Sequence, residues 1–115
     1  MTADAATAVN RQFLTAWPGE AAQHLAALAP QSAVEVLALV GPAAQGRILE
    51  RMDPDSAALI LEALSPVEEA AVLAAMMEAP ASAVLARMGE EQAEEALAAM
   101  SPTAAWDLRA RMSYP

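Results

Sequence analysis

Apolar residues recur along the chain with a period of 12 residues. A proline or a glutamate opens each unit, at Pro18, Pro30, Pro42, Pro54, Pro66, Glu78, Glu90 and Pro102. If that residue is position zero, position seven is leucine in seven of the eight units: Leu25, Leu37, Leu49, Leu61, Leu73, Leu85 and Leu97. Positions three, six and ten are mostly apolar too, and the spacing i, i+3, i+4, i+7 places all four on one helical face. The pattern therefore predicts eight consecutive amphipathic helices.

The residues at the unit boundaries indicate where each helix begins. Proline is tolerated at the first helical position, because its missing N–H would have no partner there. Asp53, Ser65 and Ser101 each precede such a proline and are good N-cap residues, and Ser65 with Glu68 has the spacing of a capping box. Helices this short are marginal in water, so their apolar faces must be buried against one another. The sequence predicts an all-α superhelix of stacked units over residues 18–113.

A further apolar pattern precedes the repeat. Val9, Phe13 and Leu14, together with Trp17, predict an additional amphipathic helix. We therefore expect residues 1–17 to form an N-terminal capping helix on the stack.

Composition restricts the possible functions. Hydrophobic residues make up 57% of the 115 residues and aromatic residues only 3%, which favours helices rich in Ala, Leu, Val and Met. There is no Cys and a single histidine, His24, which excludes disulfides and cysteine or histidine-cluster metal sites. The net charge of −9 and the lack of Lys argue against nucleic-acid binding. No nucleophile–base arrangement or phosphate-binding glycine loop is recognisable, so we do not expect an enzyme.

The chain has no apolar run long enough for a membrane helix. Its longest such run, residues 70–77, is far shorter than the roughly 20 residues that a membrane-spanning helix requires. The segment is therefore predicted to be cytosolic, without direct membrane contact.

The strongest candidate for cation binding is an acidic run at the start of one unit. It contains Glu90, Glu91, Glu94 and Glu95. Carboxylate oxygens suit Mg²⁺, which takes one or two of them and keeps several waters. The competing interpretation is a solvated acidic face, because the helix dipole favours acids in a first turn. A second candidate ridge is formed by Glu50 and Glu62, and His24 is interpreted as a partly buried structural residue.

One unit, Met52 to Leu64, resembles the repeat of the cytosolic N domain of MgtE-type magnesium channels, and the resemblance covers residues 18–113. Arg109 to Pro115 resembles the junction of that domain with a pair of CBS domains. The resemblance implies that residues 114–115 begin a linker to a CBS domain. It also implies a right-handed superhelix, related to that of the flagellar switch protein FliG.

The resemblance further implies a function. In that family Mg²⁺ binds through carboxylates between the N domain and the CBS domains, and so controls gating of the pore. Glu91 and Glu95 match the acidic spacing of the family's metal-contacting helix. The implied partners are the CBS domains of the same full-length chain, within a homodimer. The alternative is a protein-interaction scaffold, FliG-like or CBS-linked, without a transport role.

Overall fold

The computed structural model describes residues 3–113, with side chains for residues 10–112. Within that range the chain forms nine α-helices and no strand. The helices are α1 (Ala3–Ala16), α2 (Pro18–Ala26), α3 (Pro30–Leu37), α4 (Pro42–Leu49), α5 (Pro54–Glu62), α6 (Pro66–Ala75), α7 (Glu78–Arg87), α8 (Glu90–Ala99) and α9 (Pro102–Ser113). The prediction of an all-α fold is confirmed, and each of the eight units forms one helix that begins at position zero. The right-handed sense of the superhelix stays a prediction.

The predicted N-cap residues accept hydrogen bonds from backbone N–H groups in the first turn of their helices. The side chain of Asp53 accepts a hydrogen bond from the backbone N–H of Ser56 at 3.0 Å. Ser65 Oγ accepts from the backbone N–H of Glu68, and Glu68 Oε1 accepts from the backbone N–H of Ser65, which completes the predicted capping box. These bonds satisfy N–H groups that have no partner within the helix. Local sequence therefore decides where these helices begin.

From α2 to α9, each helix packs mainly against helices two places away along the chain, not against its immediate neighbours. The even helices α2, α4, α6 and α8 form one column, and the odd helices α3, α5, α7 and α9 form the other. The seven position-seven leucines are each at most 3% exposed and belong to one core shared by both columns. The stack is elongated, with principal extents of 50 × 22 × 22 Å. The 12-residue repeat thus builds one continuous core.

Helix α1 packs against α2 and α4 at the N-terminal end of the stack. Leu14 is buried, whereas Phe13 and Trp17 are exposed; the side chain of Val9 lies outside the described residues. The interpretation of His24 as partly buried was wrong, because its side chain is exposed. Together with Phe13 of α1 and Val36 of α3, His24 lines an open cavity of about 320 Å³.

Gln45 ties α4 to the end of α3. Position three is alanine in six of the eight units, and Gln45 is one of the two exceptions. Its Nε2 donates to the carbonyl oxygens of Leu37 at 2.8 Å and Val40 at 3.0 Å. Because the last carbonyls of a helix lack partners within that helix, the amide caps the C-terminal end of α3.

We expect Gln45→Ala to lower the free energy of unfolding by about 1–2 kcal/mol, because both hydrogen bonds are lost. Urea denaturation followed by circular dichroism measures the change. The matched control is Gln31→Ala on α3, an exposed glutamine for which we expect a change within about 0.5 kcal/mol. Equal losses for the two variants would contradict the proposed capping role.

Candidate cation-binding surface

The four predicted ligands, Glu90, Glu91, Glu94 and Glu95, lie in the N-terminal half of α8. All four side chains are exposed, while Ala93, Ala96 and Leu97 form the buried face of the same helix. The acids therefore lie outside the apolar face that the 12-residue pattern turns towards the core. Glu90 and Glu91 also occupy the first turn, where the helix dipole stabilises negative charge.

Glu94 is engaged by a residue of the same domain. Its Oε2 accepts a hydrogen bond from Nη2 of Arg109 on α9 at 2.6 Å. Both side chains are about half exposed, so this ion pair contributes little to stability. It nevertheless places a positive charge beside Glu94, which weakens the attraction of that carboxylate for a cation. Among the four predicted ligands, Glu91 and Glu95 thus form the better pair.

A buried carboxyl group lies in the helix next to α8 in the same column. Glu69 on α6 is only 3% exposed and is the one charged residue classed as buried among the described side chains. Its Oε2 is buried and has no hydrogen-bond partner. Glu69 is the second exception to alanine at position three, which is why its side chain points towards neighbouring helices.

The pKa of the Glu69 carboxyl is raised to about 7, first by burial and then by the negative charges of Glu62 and Glu95. Glu62 belongs to α5 and Glu95 to α8, so negative charges on two other helices act on the Glu69 carboxyl. Glu68, the preceding residue, behaves in the opposite way. Its carboxylate is exposed, and the hydrogen bond from the Ser65 backbone lowers its pKa. The contrast between adjacent glutamates is set by the helix face that each occupies.

Sequence reasoning did not single out Glu69. The run of Glu68 and Glu69 resembles an ordinary acidic first turn, which the helix dipole favours. The available signal was the exception to alanine at position three, a position that faces the core in every unit that has alanine there. A charged residue at such a position is expected to be costly unless it is neutral or paired.

Glu50 and Glu62, the second predicted candidate ridge, have different interactions. Glu50 Oε2 accepts a hydrogen bond from the backbone N–H of Met77 at 3.0 Å, which links the end of α4 to the start of α7. Glu62 instead lies where its charge acts on Glu69. Within residues 10–112, no three acidic or histidine side chains are arranged to hold a metal ion by themselves. A cation on this surface would need further oxygen ligands, from water or from another domain.

One known protein family covers the whole repeat. The family model of the MgtE intracellular N domain matches residues 17–115, which include all eight units. The chain belongs to the MgtE N-domain family. The predicted resemblance is thereby confirmed, and the family is a transporter regulatory family, not an enzyme family. Searches of curated proteins and of solved structures gave no match.

Two features of this MgtE N domain lie near its C-terminal end. Trp106 on α9 is 69% exposed, and it occupies position four of its unit, outside the apolar positions three, six, seven and ten. The predicted linker start, Tyr114 and Pro115, lies outside the described residues.

No helix within residues 3–113 has the length and apolar character needed to cross a membrane.

Proposed function

We propose that this MgtE N domain is the cytosolic regulatory domain of a Mg²⁺ transporter or channel, and that it senses intracellular Mg²⁺ at an interface with CBS domains of the same full-length chain, within a homodimer. Membership of the MgtE N-domain family over residues 17–115 is the observation that carries the proposal. The N domain supplies carboxylates from α8, the CBS domains supply the remaining oxygen ligands, and the bound ion holds the two together.

The geometry of α8 supports this division of the site. Glu91 and Glu95 are exposed, and their i, i+4 spacing places both carboxylates on one side of the helix. Two like charges this close repel each other, and a divalent cation removes the repulsion. Mg²⁺ commonly takes only one or two carboxylates and keeps several waters, so an incomplete ligand set suits an interdomain site. Glu90 flanks the pair, and Glu94 can join only by sharing its bond with Arg109.

Loss of Mg²⁺ then separates the domains for an electrostatic reason. The chain carries a net charge of −9, so without the ion the acidic surface of α8 repels other carboxylates brought against it. Mg²⁺ reverses the sign of that interaction. The N domain and the CBS domains are therefore held together at high Mg²⁺ and separate at low Mg²⁺. This change in their arrangement controls the pore.

The second candidate function is a protein-interaction scaffold. It draws on large apolar side chains that are more than half exposed, namely Trp17, Leu59, Val67, Met77 and Trp106. Exposed apolar groups of this size are frequent at protein–protein contacts. A scaffold would bind its partner without responding to Mg²⁺, and this difference separates the two candidates.

The test uses the full-length protein and measures Mg²⁺-dependent protection against limited proteolysis. We expect Glu91→Gln with Glu95→Gln to raise the Mg²⁺ concentration for half-protection by about tenfold or more, which corresponds to about 1.4 kcal/mol. The matched control is Glu20→Gln, an exposed acid in the first turn of α2, which should leave the midpoint unchanged. Unchanged protection in the double variant would reject the site, and Mg²⁺-independent protection of the wild type would favour the scaffold.

A further inference from the structure

The buried carboxyl of Glu69 has a consequence beyond cation sensing. We propose that Glu69 is a proton-responsive element of the stack, whose neutral form keeps α6 packed against α4 and α8 and whose ionised form loosens that packing. The buried Oε2 without a hydrogen-bond partner, at a position that is alanine in six of eight units, is the geometric basis. The inference requires neither Mg²⁺ nor a partner domain, so it stands apart from the proposed function.

The repeat indicates what the neutral form can do. Gln45 occupies the equivalent position in α4, 24 residues earlier, and its amide donates to the carbonyls of Leu37 and Val40. The equivalent carbonyls before α6 are those of Leu61 and Leu64. A protonated carboxyl has one O–H that can donate to such a carbonyl, whereas a carboxylate has no donor. Only the neutral form of Glu69 can therefore make the type of bond that this position uses in α4.

The surrounding charges also disfavour ionisation of Glu69. The charged residues on α4, α5, α7 and α8 and in the turn after α4 are Arg47, Glu50, Arg51, Asp53, Asp55, Glu62, Glu78, Arg87, Glu90, Glu91, Glu94 and Glu95. The charges that act on the Glu69 carboxyl are those of Glu62 and Glu95, both negative. Several others are engaged elsewhere, since Arg87 pairs with Asp55 and Glu94 pairs with Arg109. A buried carboxylate beside two further carboxylates, with no cation acting on it, is unfavourable.

The direction of the pH effect follows from proton linkage. In the folded chain the pKa of Glu69 is raised to about 7, whereas in the unfolded chain it has the ordinary glutamate value of about 4.5. Between these two values the folded state holds a proton that the unfolded state has released, so stability falls as pH rises. The stabilisation by neutral Glu69 is complete below about pH 4.5 and is lost as pH rises through about 7. Ionisation thus weakens the middle of the stack near neutral pH.

The test uses the 115-residue chain in a chelator-containing buffer, so that no divalent ion contributes. Urea denaturation at pH 5.5 and pH 8.5 gives the folding equilibrium constant of the wild type and of Glu69→Gln, whose amide is always neutral. We expect the wild-type constant to fall by about 10- to 30-fold relative to that of Glu69→Gln over this range. Glu20→Gln, the control on α2, should retain the wild-type pH dependence.

A direct titration keeps the proposal testable if Glu69→Gln does not fold. In chain labelled with ¹³C at the glutamate carboxyl groups, the Glu69 signal should titrate with a midpoint near pH 7. Glu95→Gln should lower this midpoint, because it removes one neighbouring negative charge. A midpoint below about pH 5.5, within one unit of the ordinary glutamate value, would overturn the proposal, as would parallel pH profiles for the wild type and Glu69→Gln.

Discussion

Leu61→Ala is expected to lower the free energy of unfolding by about 2–5 kcal/mol. Leu61 has no exposed surface and belongs to the core that joins the two helix columns. Its removal leaves a cavity that helices of both columns must close by moving. Because small domains are stable by only about 5–15 kcal/mol, one such substitution should remove a large part of the total. Urea denaturation, monitored by the circular dichroism of the helices, measures the change in the free energy of unfolding.

Leu59→Ala provides the matched control in the same helix. Leu59 lies two residues before Leu61 on α5 but is 57% exposed, so the same chemical change should cost less than about 1 kcal/mol. The comparison isolates burial, because helix propensity changes equally in both variants. Similar losses at the two positions would show that the position-seven leucines do not carry the core.

Gly46→Ala should have the second large effect, a destabilisation of about 1–3 kcal/mol through overpacking. Gly46 lies inside α4, where alanine would ordinarily stabilise a helix by about 1 kcal/mol. Here an added Cβ would lie 2.9 Å from Cβ of Ala75 and 3.0 Å from its backbone carbon. The backbone of α6 cannot rotate away as a side chain could, so α4 and α6 would have to separate. The sign of the usual glycine-to-alanine effect is therefore reversed.

Gly19→Ala tests that argument at a helical glycine with space around it. The nearest atom to an added Cβ at Gly19 is Nη1 of Arg51 at 3.7 Å, an ordinary contact with a flexible side chain. We expect a change between zero and a stabilisation of about 1 kcal/mol. Thermal melts of both variants measure the two shifts in parallel. If Gly46→Ala also raises the melting temperature, α4 and α6 do not approach as closely as described.

The helices and their caps were predictable because the determining interactions are local. A proline at the first position, the Asp53 cap and the Ser65–Glu68 capping box all act within one turn of the helix they begin. The leucine at position seven was equally readable, since its burial follows from the apolar stripe that every unit repeats. The acidic face of α8 was recognised for the same reason, as its residues are neighbours in sequence.

Contacts between distant helices changed the picture of the candidate site. Glu94 and Arg109 are 15 residues apart and pair across α8 and α9, which a search of one helix does not reveal. The exposure of His24 likewise depends on how α1 meets α2 and α3. In both cases the side-chain type is ordinary, and only the position of a second helix decides its role.

The sequence by itself determined the number, length and inward face of the repeated helices, and it identified the family, because each 12-residue unit contains its own start signal and apolar stripe. It could not determine which units touch, since every unit presents nearly the same stripe to any neighbour. The tertiary structure decided that helices two apart form columns. That packing brings Ala75 of α6 against Gly46 of α4 and buries Glu69 near Glu62 and Glu95. The raised pKa of Glu69 thus arises from burial and from negative charges on two other helices, and neither cause exists in an isolated unit.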